Sequence, residues 1–408
     1  MARVADFAGG ATYGAVVECV PNFATASPGQ LLEVAGWRLT DTSFDASHGR
    51  SVLTLAGAPS GALDAAFQCV ATAVESLSLA GHEGVHPRVG VADVVPFAPL
   101  AGVDVAACAE LAAEFAARAW ESLRVPVYLY GRQFGGLRLA QIRSAVAAGN
   151  PLAPSVGGPA PHPTAGYCCV GARPPLVAYN VLLNGVSMPA ARDLAGSLRE
   201  LSHSGRGLPG VQALAFEVAA GVQLSMNLVD LAVVTPGLVL AEVRQRVGAI
   251  GGSVAGDEVV GLCPAGACEP WTPAIAGQVL EARVAAAAAR SSAASARGSL
   301  AAAGGSGARR AEVLGVAVRL DRAAEELAGV ASTESFLAAA EQSAALLRVL
   351  AAGRMLQAEP AALLQYAADA LLASAPAGVG ARFEERVAAL RRWLAAPPEP
   401  AGPEPAEP

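Results

Sequence analysis

The 408-residue chain is 53% hydrophobic and 15% charged, which is enough apolar material for two or three folded domains. Its formal net charge of -7 excludes the broad basic surface typical of non-specific nucleic-acid binding. Much of the hydrophobic fraction is alanine, and the uninterrupted run of about 18 apolar residues that a membrane-spanning helix needs is not found.

The composition of the N-terminus and the pattern of cysteines predict the cellular compartment of the protein. The basic region and apolar core of a secretory signal are not seen at the N-terminus. The number of cysteines is odd, seven, and they show no Cys-x-x-Cys spacing. We therefore expect a reduced, cytoplasmic protein with neither a disulfide framework nor a zinc site.

The first half of the chain alternates between strand-like and helix-like patterns. Strands are predicted at 15–20, 50–56, 89–97 and 125–130 from short β-rich or alternating runs. Helices are predicted at 63–77 and 104–123, where apolar residues recur at helical spacing, and at 138–148. This order predicts an α/β layered domain, with a sheet on one side and helices on the other.

A similar order of elements follows in the second half. Strands are predicted at 167–170, 176–183, 211–216, 222–228 and 258–262, and helices at 190–202 and 237–250. The fold class is therefore α/β, with two similar lobes.

After Pro270 the chain changes character. An alanine-rich helix is predicted over 274–290, with Thr272 as its cap. Residues 291–310 are rich in Ala, Gly and Ser and are predicted to be a linker. Residues 311–396 are predicted to form a helical extension, either a small bundle or an oligomerisation element. The Pro/Glu-rich residues 397–408 are predicted to be a disordered tail.

One histidine stands in a distinctive setting, the segment Gly84-Val-His-Pro-Arg88. Pro87 restricts His86 to extended backbone, and a run of strand-forming residues follows. An imidazole fixed at a strand edge can be a general acid/base, because its ordinary pKa lies near neutrality. A lone histidine is more often merely half-buried, so this motif by itself decides nothing.

Four segments of the chain stand out together. They are Val17-Glu-Cys-Val-Pro-Asn-Phe23, Asp45-Ala-Ser-His-Gly-Arg50, the His86 segment, and His162-Pro-Thr-Ala-Gly166 with the following Val170-Gly-Ala-Arg173. Supporting runs include Val125-Pro-Val-Tyr-Leu-Tyr130 and Leu224-Ser-Met-Asn-Leu228. In this collinear order the segments resemble the formiminotransferase domain of the glutamate formimidoyltransferase family, and the resemblance covers about residues 14–270.

The resemblance implies two ferredoxin-like α/β lobes, residues 14–171 and 172–285, with a folate tunnel between them, followed by the all-helical extension. It implies transfer of the formimino group from N-formimino-L-glutamate to N5 of tetrahydrofolate, a step of histidine degradation and one-carbon metabolism. Tetrahydrofolate is then a co-substrate, no metal is needed, and the partners are small molecules rather than nucleic acid or membrane. We also expect a homodimer or another homo-oligomer.

The resemblance also assigns catalytic roles. His86 corresponds to the family's catalytic histidine. One imidazole can take the proton from N5 and return it to the departing glutamate nitrogen. Asp45 is the candidate carboxylate for the cationic formimino group, although an aspartate in Asp-Ala-Ser-His-Gly can equally be a turn residue.

Substrate and folate binding is assigned to five further residues. Arginines match carboxylates bidentately, so each arginine in the matching segments is either a ligand of substrate carboxylates or part of a structural ion pair. His162 either lines the tunnel or is hydrogen-bonded to loop backbone. These residues are Arg50, Arg88, Arg173, Asn22 and His162.

The chain departs from the family pattern in its motifs, in the condensed stretch between Tyr130 and His162, and in its C-terminal piece. Ala24-Thr-Ala26 replaces the usual Ser-Glu-Gly, and Val85 replaces the glutamate that usually precedes the histidine. The alternatives are therefore a catalytically weak folate-binding or scaffold protein, and an enzyme acting on another one-carbon folate such as 5-formyltetrahydrofolate.

Overall fold

The computed structural model describes residues 14–45, 49–82, 84, 87–199, 205, 207–267, 277–302, 307–329, 337–338, 341–342, 345, 358–373, 385 and 388–389. The chain divides into two compact units. Residues 14–175 form the first unit, and the chain from Leu176 onwards forms the body of the second.

The first unit is built on a seven-stranded mixed sheet with the order β1-β4-β2-β5-β7-β6, and β3 pairs with the outer side of β4. Pairing is antiparallel except for β5–β7 and β6–β7, which are parallel. The strands are β1 Val16–Cys19, β2 Asn22–Phe23, β3 Leu39–Asp45, β4 Arg50–Gly57, β5 Ala92–Ala101, β6 Val127–Tyr130 and β7 Cys168–Ala172.

Four helices cover this sheet unequally. Three of them bury their apolar sides in one large core that includes Phe67, Phe97 and Phe115. The fourth packs Ile142 against Tyr128 and its neighbours on the other face. The helices are α1 Gly29–Ala35, α2 Pro59–Ser76, α3 Val105–Leu123 and, on the second face, α4 Leu139–Ala147.

The second unit contains a four-stranded antiparallel sheet with the order β11-β8-β10-β9. Two helices pack on one face of it, around Tyr179, Leu198 and Val243. The α/β class with two lobes is thus confirmed. The elements are β8 Val177–Asn184, α5 Met188–Leu198, β9 Val211–Val218, β10 Gly221–Leu228, α6 Pro236–Ala249 and β11 Ser253–Val260.

The helical extension follows in the same unit as α7 Leu280–Ala302, α8 Gly307–Ala328 and α9 Ala358–Ala373, with α7 packed against both α8 and α9. The linker predicted at 291–310 is wrong for 291–302, which continue α7, and for 307–310, which begin α8. Alanine has the highest helix propensity, and Ala293 and Ala296 are fully buried. The tail predicted at 397–408 and the predicted cap Thr272 lie outside the described residues.

Helix ends follow local chemistry. The Asp104 side chain accepts a hydrogen bond from the Ala107 amide at 2.8 Å and caps α3. At the other end of α3, Arg124 takes a left-handed conformation with φ 58°. Thr235 caps α6 and is followed by Pro236 at the first helical position, where a missing N–H costs nothing.

Three elements were not predicted: the two-residue strand β2, the helix α1 and the strand β3. α1 has only seven residues, too few for apolar spacing to show. β3 reads Leu-Thr-Asp-Thr-Ser-Phe-Asp, and this polar composition fits a strand with a neighbour on one side only. β11 begins at Ser253, five positions before the predicted start at 258, because its alternation is broken by a bulge near Gly256.

The cysteines of the first unit are buried free thiols. Burial raises the pKa of Cys69 to about 12, and that of Cys108 to about 12. In the second unit Cys263 is disulfide-bonded, so the expectation of reduced cysteines is wrong at this position. Among the described residues, no helix is both long and apolar enough to cross a membrane.

Gly90 lies where two backbone segments approach closely. It forms a bridge with Gly166, and a β-carbon at position 90 would lie 1.8 Å from the Tyr167 carbonyl oxygen. Backbone on both sides is fixed by hydrogen bonds from the Val91 amide to Ala165 O and from the Tyr167 amide to Val89 O, each 2.9 Å. Only glycine fits this crossing.

Gly90→Ala should therefore lower the free energy of unfolding by about 3 kcal/mol, because rigid backbone must move to admit a methyl group. Gly29→Ala is the control, since a β-carbon there meets nothing within 4 Å. Urea unfolding of both variants measures the difference. Similar midpoints for Gly90→Ala and the parent would contradict the packing described here.

Candidate active site

The second face of the large sheet carries a row of polar side chains. Cys19 and Leu53 point into the core of the first face, so their neighbours Glu18, Val52 and Thr54 face the other way. Asn22 is paired with Val52, and Asp45 with Arg50. Residues paired directly across antiparallel strands share a face, so these backbone positions lie along one surface.

Asn22 and Arg50 are bound to each other on this face. The Asn22 amide oxygen accepts hydrogen bonds from Arg50 Nε at 3.2 Å and Nη2 at 2.7 Å. The Asn22 amide nitrogen donates to Val20 O at 2.7 Å, which fixes the direction of the amide. The sequence assigned both residues to binding, and the structure brings them together.

A buried aspartate holds the Arg50 guanidinium from the other side. Asp93 is 1% exposed, and its Oδ2 accepts a hydrogen bond from Arg50 Nη1 at 3.1 Å. Its Oδ1 accepts from the Val89 amide at 2.8 Å, so the carboxylate also fixes the start of β5. A buried carboxylate needs such partners, because unpaired burial of a charge is strongly unfavourable.

A second arginine shares the same carboxylate oxygen. Arg143 of α4 donates from Nη2 to Asp93 Oδ2. Two guanidinium groups therefore meet one carboxylate, and each arginine side chain is 19% exposed. Burial lowers the pKa of Arg50, the Asp93 carboxylate opposes that shift, and the charge of Arg143 adds to it.

Arg88 is engaged by the backbone of its own loop. Its Nη1 donates to Gly84 O at 2.6 Å, and its Nη2 donates to His82 O at 2.9 Å. These bonds make Arg88 a structural residue that shapes the chain around position 84. Its predicted role in substrate binding stays a prediction.

His82 joins this loop to the one that follows β3. Its Nδ1 accepts a hydrogen bond from the Gly84 amide at 3.1 Å, and its Nε2 donates to Gly49 O at 2.9 Å. Gly49 is in a left-handed conformation, and a β-carbon there would lie 2.6 Å from the His82 ring. His86 itself lies outside the described residues, and of Asp45 only the backbone is described.

Arg173 follows β7, and its backbone amide donates to Phe97 O at 3.0 Å. Its charge acts on Glu18, which is buried in β1. Burial raises the pKa of Glu18, and the nearby guanidinium of Arg173 opposes that rise. Burial likewise raises the pKa of Tyr130, with Arg173 and Arg143 opposing it.

His162 lies in a tight turn that closes on Gly166. Its Nδ1 accepts from the Ala165 amide at 3.1 Å, and its backbone exchanges two hydrogen bonds with Gly166. These hydrogen bonds agree with the alternative of a loop histidine bonded to backbone, and a role of His162 in ligand binding stays a prediction.

Asp93 and Arg143 were missed by the sequence analysis. A lone acid in the apolar run Val-Ala-Asp-Val-Val is a usable signal, since such a residue is rarely buried without a partner. Arg143 carried no comparable signal, because its partner is 50 residues away in the chain. In the described part of the chain, no group of three or more His, Cys, Asp or Glu residues is arranged to hold a metal ion.

Residues 16–173 match the family model of the formiminotransferase domain, N-terminal subdomain. Glutamate formimidoyltransferase of Streptococcus pyogenes serotype M1 is 34% identical over 270 residues, 61% of this chain and 89% of that protein. The chain belongs to the glutamate formimidoyltransferase family. It is accordingly an enzyme of the transferase class.

Two further relatives extend the comparison. Glutamate formimidoyltransferase of Thermoplasma acidophilum is 33% identical over 61% of this chain and 88% of its own length. Formimidoyltransferase-cyclodeaminase of Mus musculus is 32% identical over 274 residues, which is 50% of that protein.

Because two arginines share the Asp93 carboxylate, we expect its removal to destabilise the folded protein strongly. Asp93→Ala should lower the free energy of unfolding by about 3–5 kcal/mol, since two guanidinium groups and the Val89 amide lose their acceptor together. The matched control is Asp64→Ala, which removes an exposed ion pair to Arg118 and should cost less than about 1 kcal/mol. Chemical denaturation compares the two. Equal losses would contradict the role of Asp93.

Glu18 gives a pH-dependent prediction. Its pKa in the folded protein is raised above the ordinary value of 4.5, so ionisation destabilises the fold as pH rises above that value. Glu18→Gln should raise the melting temperature at about pH 8, and the gain should shrink towards zero at about pH 4. The exposed Glu110→Gln is the control. A gain that is equal at both pH values would be inconsistent with this assignment.

Proposed function

We propose that this enzyme transfers the formimino group from N-formimino-L-glutamate to N5 of tetrahydrofolate, giving 5-formiminotetrahydrofolate and L-glutamate. Support comes from the names of the relatives and from the arrangement of the first unit. The observation that carries the proposal is the hydrogen bond from His82 to Gly49, which brings the backbone next to Arg50 close to a residue that precedes the proposed catalytic segment 84–88.

In the proposed mechanism His86 is the general acid/base. It accepts the proton that N5 loses on attacking the formimino carbon, and it returns that proton to the nitrogen of the departing glutamate. Asp45 stabilises the positive charge of the formimino group as the tetrahedral intermediate forms and collapses. The paired backbone positions of Asp45 and Arg50 agree with a carboxylate beside a binding arginine.

Binding in this proposal depends on fixed donors. Arg50 is held by Asn22 and Asp93, so its guanidinium keeps one orientation and little conformational entropy is lost on binding. Arg173 and the loop residues Arg88 and His162 complete the proposed set. Tetrahydrofolate enters as co-substrate.

The remaining parts of the proposal concern the protein's surroundings. We place it in the cytoplasm, as a homodimer or another homo-oligomer that handles small molecules of histidine degradation and one-carbon metabolism. The net charge of -7 supports the exclusion of nucleic acid as a partner.

The test measures glutamate release from N-formimino-L-glutamate in the presence of tetrahydrofolate. His86→Ala should lower kcat by about 10²–10⁴-fold, which is the usual contribution of a general acid/base. His203→Ala, a histidine outside the four matching segments, is the control and should keep the parent rate.

Three results would count against the proposal. Equal rates for His86→Ala and the parent would remove His86 from the mechanism. A folate-induced rise in melting temperature without any transfer would favour a folate-binding protein. Turnover of 5-formyltetrahydrofolate, but not of formiminoglutamate, would move the activity to another one-carbon folate.

A further inference from the structure

The cluster around Asp93 has more positive than negative charge. Arg50 and Arg143 each carry one positive charge, and both donate to the same oxygen of one carboxylate. Glu18 lies on the same face, where burial raises its pKa and the charge of Arg173 opposes that rise, so its nearby cation is a third arginine. The cluster is therefore suited to an anion.

The two arginines are not used in the same way. Arg50 directs Nε and Nη2 to Asn22 and Nη1 to Asp93, so all three nitrogens are engaged by side chains of the protein. Arg143 directs Nη2 to Asp93, whereas its Nε is buried and makes no hydrogen bond within the described residues. A buried N–H without an acceptor costs about 1–3 kcal/mol, so such a group calls for a functional explanation.

We propose that Arg143 binds a glutamyl carboxylate of the substrates, and that Asp93 positions its guanidinium for this purpose. The inference rests on the proposed function and adds to it a residue that the sequence did not indicate. A guanidinium that offers Nε and a neighbouring N–H matches the two oxygens of a carboxylate. The Arg143 side chain is 19% exposed whereas its Nε is buried, so a carboxylate reaches the guanidinium from its exposed part, and contact with Nε requires a small shift of the groups that cover it.

The position of Arg143 supports the same conclusion. Its helix, α4, packs on the polar face of the sheet, through Ile142 against Tyr128 and Cys169. Arg143 therefore reaches the face that carries Asn22 and Arg50, and its charge acts on Tyr130 together with that of Arg173. Positive charge is thus supplied to this face from β4, α4 and the end of β7.

Two molecules in the proposed reaction carry the required chemistry. One is the glutamate moiety of formiminoglutamate, and the other is the glutamyl tail of tetrahydrofolate. Kinetics with each substrate varied in turn distinguish them, because the affected substrate shows the raised KM.

The experiment compares the full-length parent with Arg143→Gln and Arg143→Lys. Arg143→Gln should raise the KM for one of the two substrates about ten-fold or more, with a smaller change in kcat, since it removes a binding contact. Arg143→Lys keeps the charge beside Asp93 but lacks the fork, so it should stay folded and regain only part of the loss. Asp93→Asn should raise the same KM.

The control is Arg118→Gln, which removes an arginine–aspartate ion pair between α2 and α3 and should leave both KM values unchanged. Binding is followed independently as the rise in melting temperature caused by L-glutamate, by folate and by pteroate, which lacks the glutamyl group. Arg143→Gln should lose the rise caused by L-glutamate, or should reduce the folate response to the level of pteroate.

The proposal is overturned if folded Arg143→Gln, or Arg143→Lys where the glutamine variant does not fold, matches the parent in both KM values and in both ligand-induced shifts. The binding measurement also separates this inference from the proposed function. If the parent does not transfer the formimino group, yet Arg143 is needed for the response to glutamate or folate, the proposed reaction fails and the carboxylate site stands.

Discussion

The first unit depends on one buried carboxylate. Asp93 accepts hydrogen bonds from the Val89 amide, from Arg50 of β4 and from Arg143 of α4, so it connects a loop, two strands and a helix on the second face of the sheet. Removing that charge from water is unfavourable, and its three donors offset the cost. The same donors are thereby held in fixed positions, which is the state in which charged groups bind ligands most effectively.

Much of the fold follows from local sequence signals. Helix α3 is predicted from its apolar spacing. It begins after its N-terminal cap Asp104 and ends at Arg124. The polar strand β3 and the short helix α1 could not be found this way, because neither carries a recognisable period. The extension of α7 beyond residue 290 was missed because alanine and serine suit a linker as well as a helix, and burial of one side decided between them.

The candidate site was predictable only in part. Asn22 and Arg50 lie in segments that resemble the family, and the structure places them in contact. Asp93 and Arg143 contribute through a contact between distant parts of the chain, and no local pattern reports such a contact. Arg88 and His162 were identified by their segments, but hydrogen bonds to nearby backbone account for their positions. A sequence motif therefore identifies candidate residues, and the contacts that each one makes in the folded protein indicate its role.

The order of strands also affects how the chain folds during synthesis. β7, at Cys168–Ala172, is the last strand of the large sheet to be made, yet it lies between β5 and β6 and pairs in parallel with both. Until the ribosome has released it, β5 presents an unpaired apolar edge, which is a common starting point for aggregation. A nascent chain arrested before Cys168 would consequently need chaperone protection, whereas a few more residues complete the sheet.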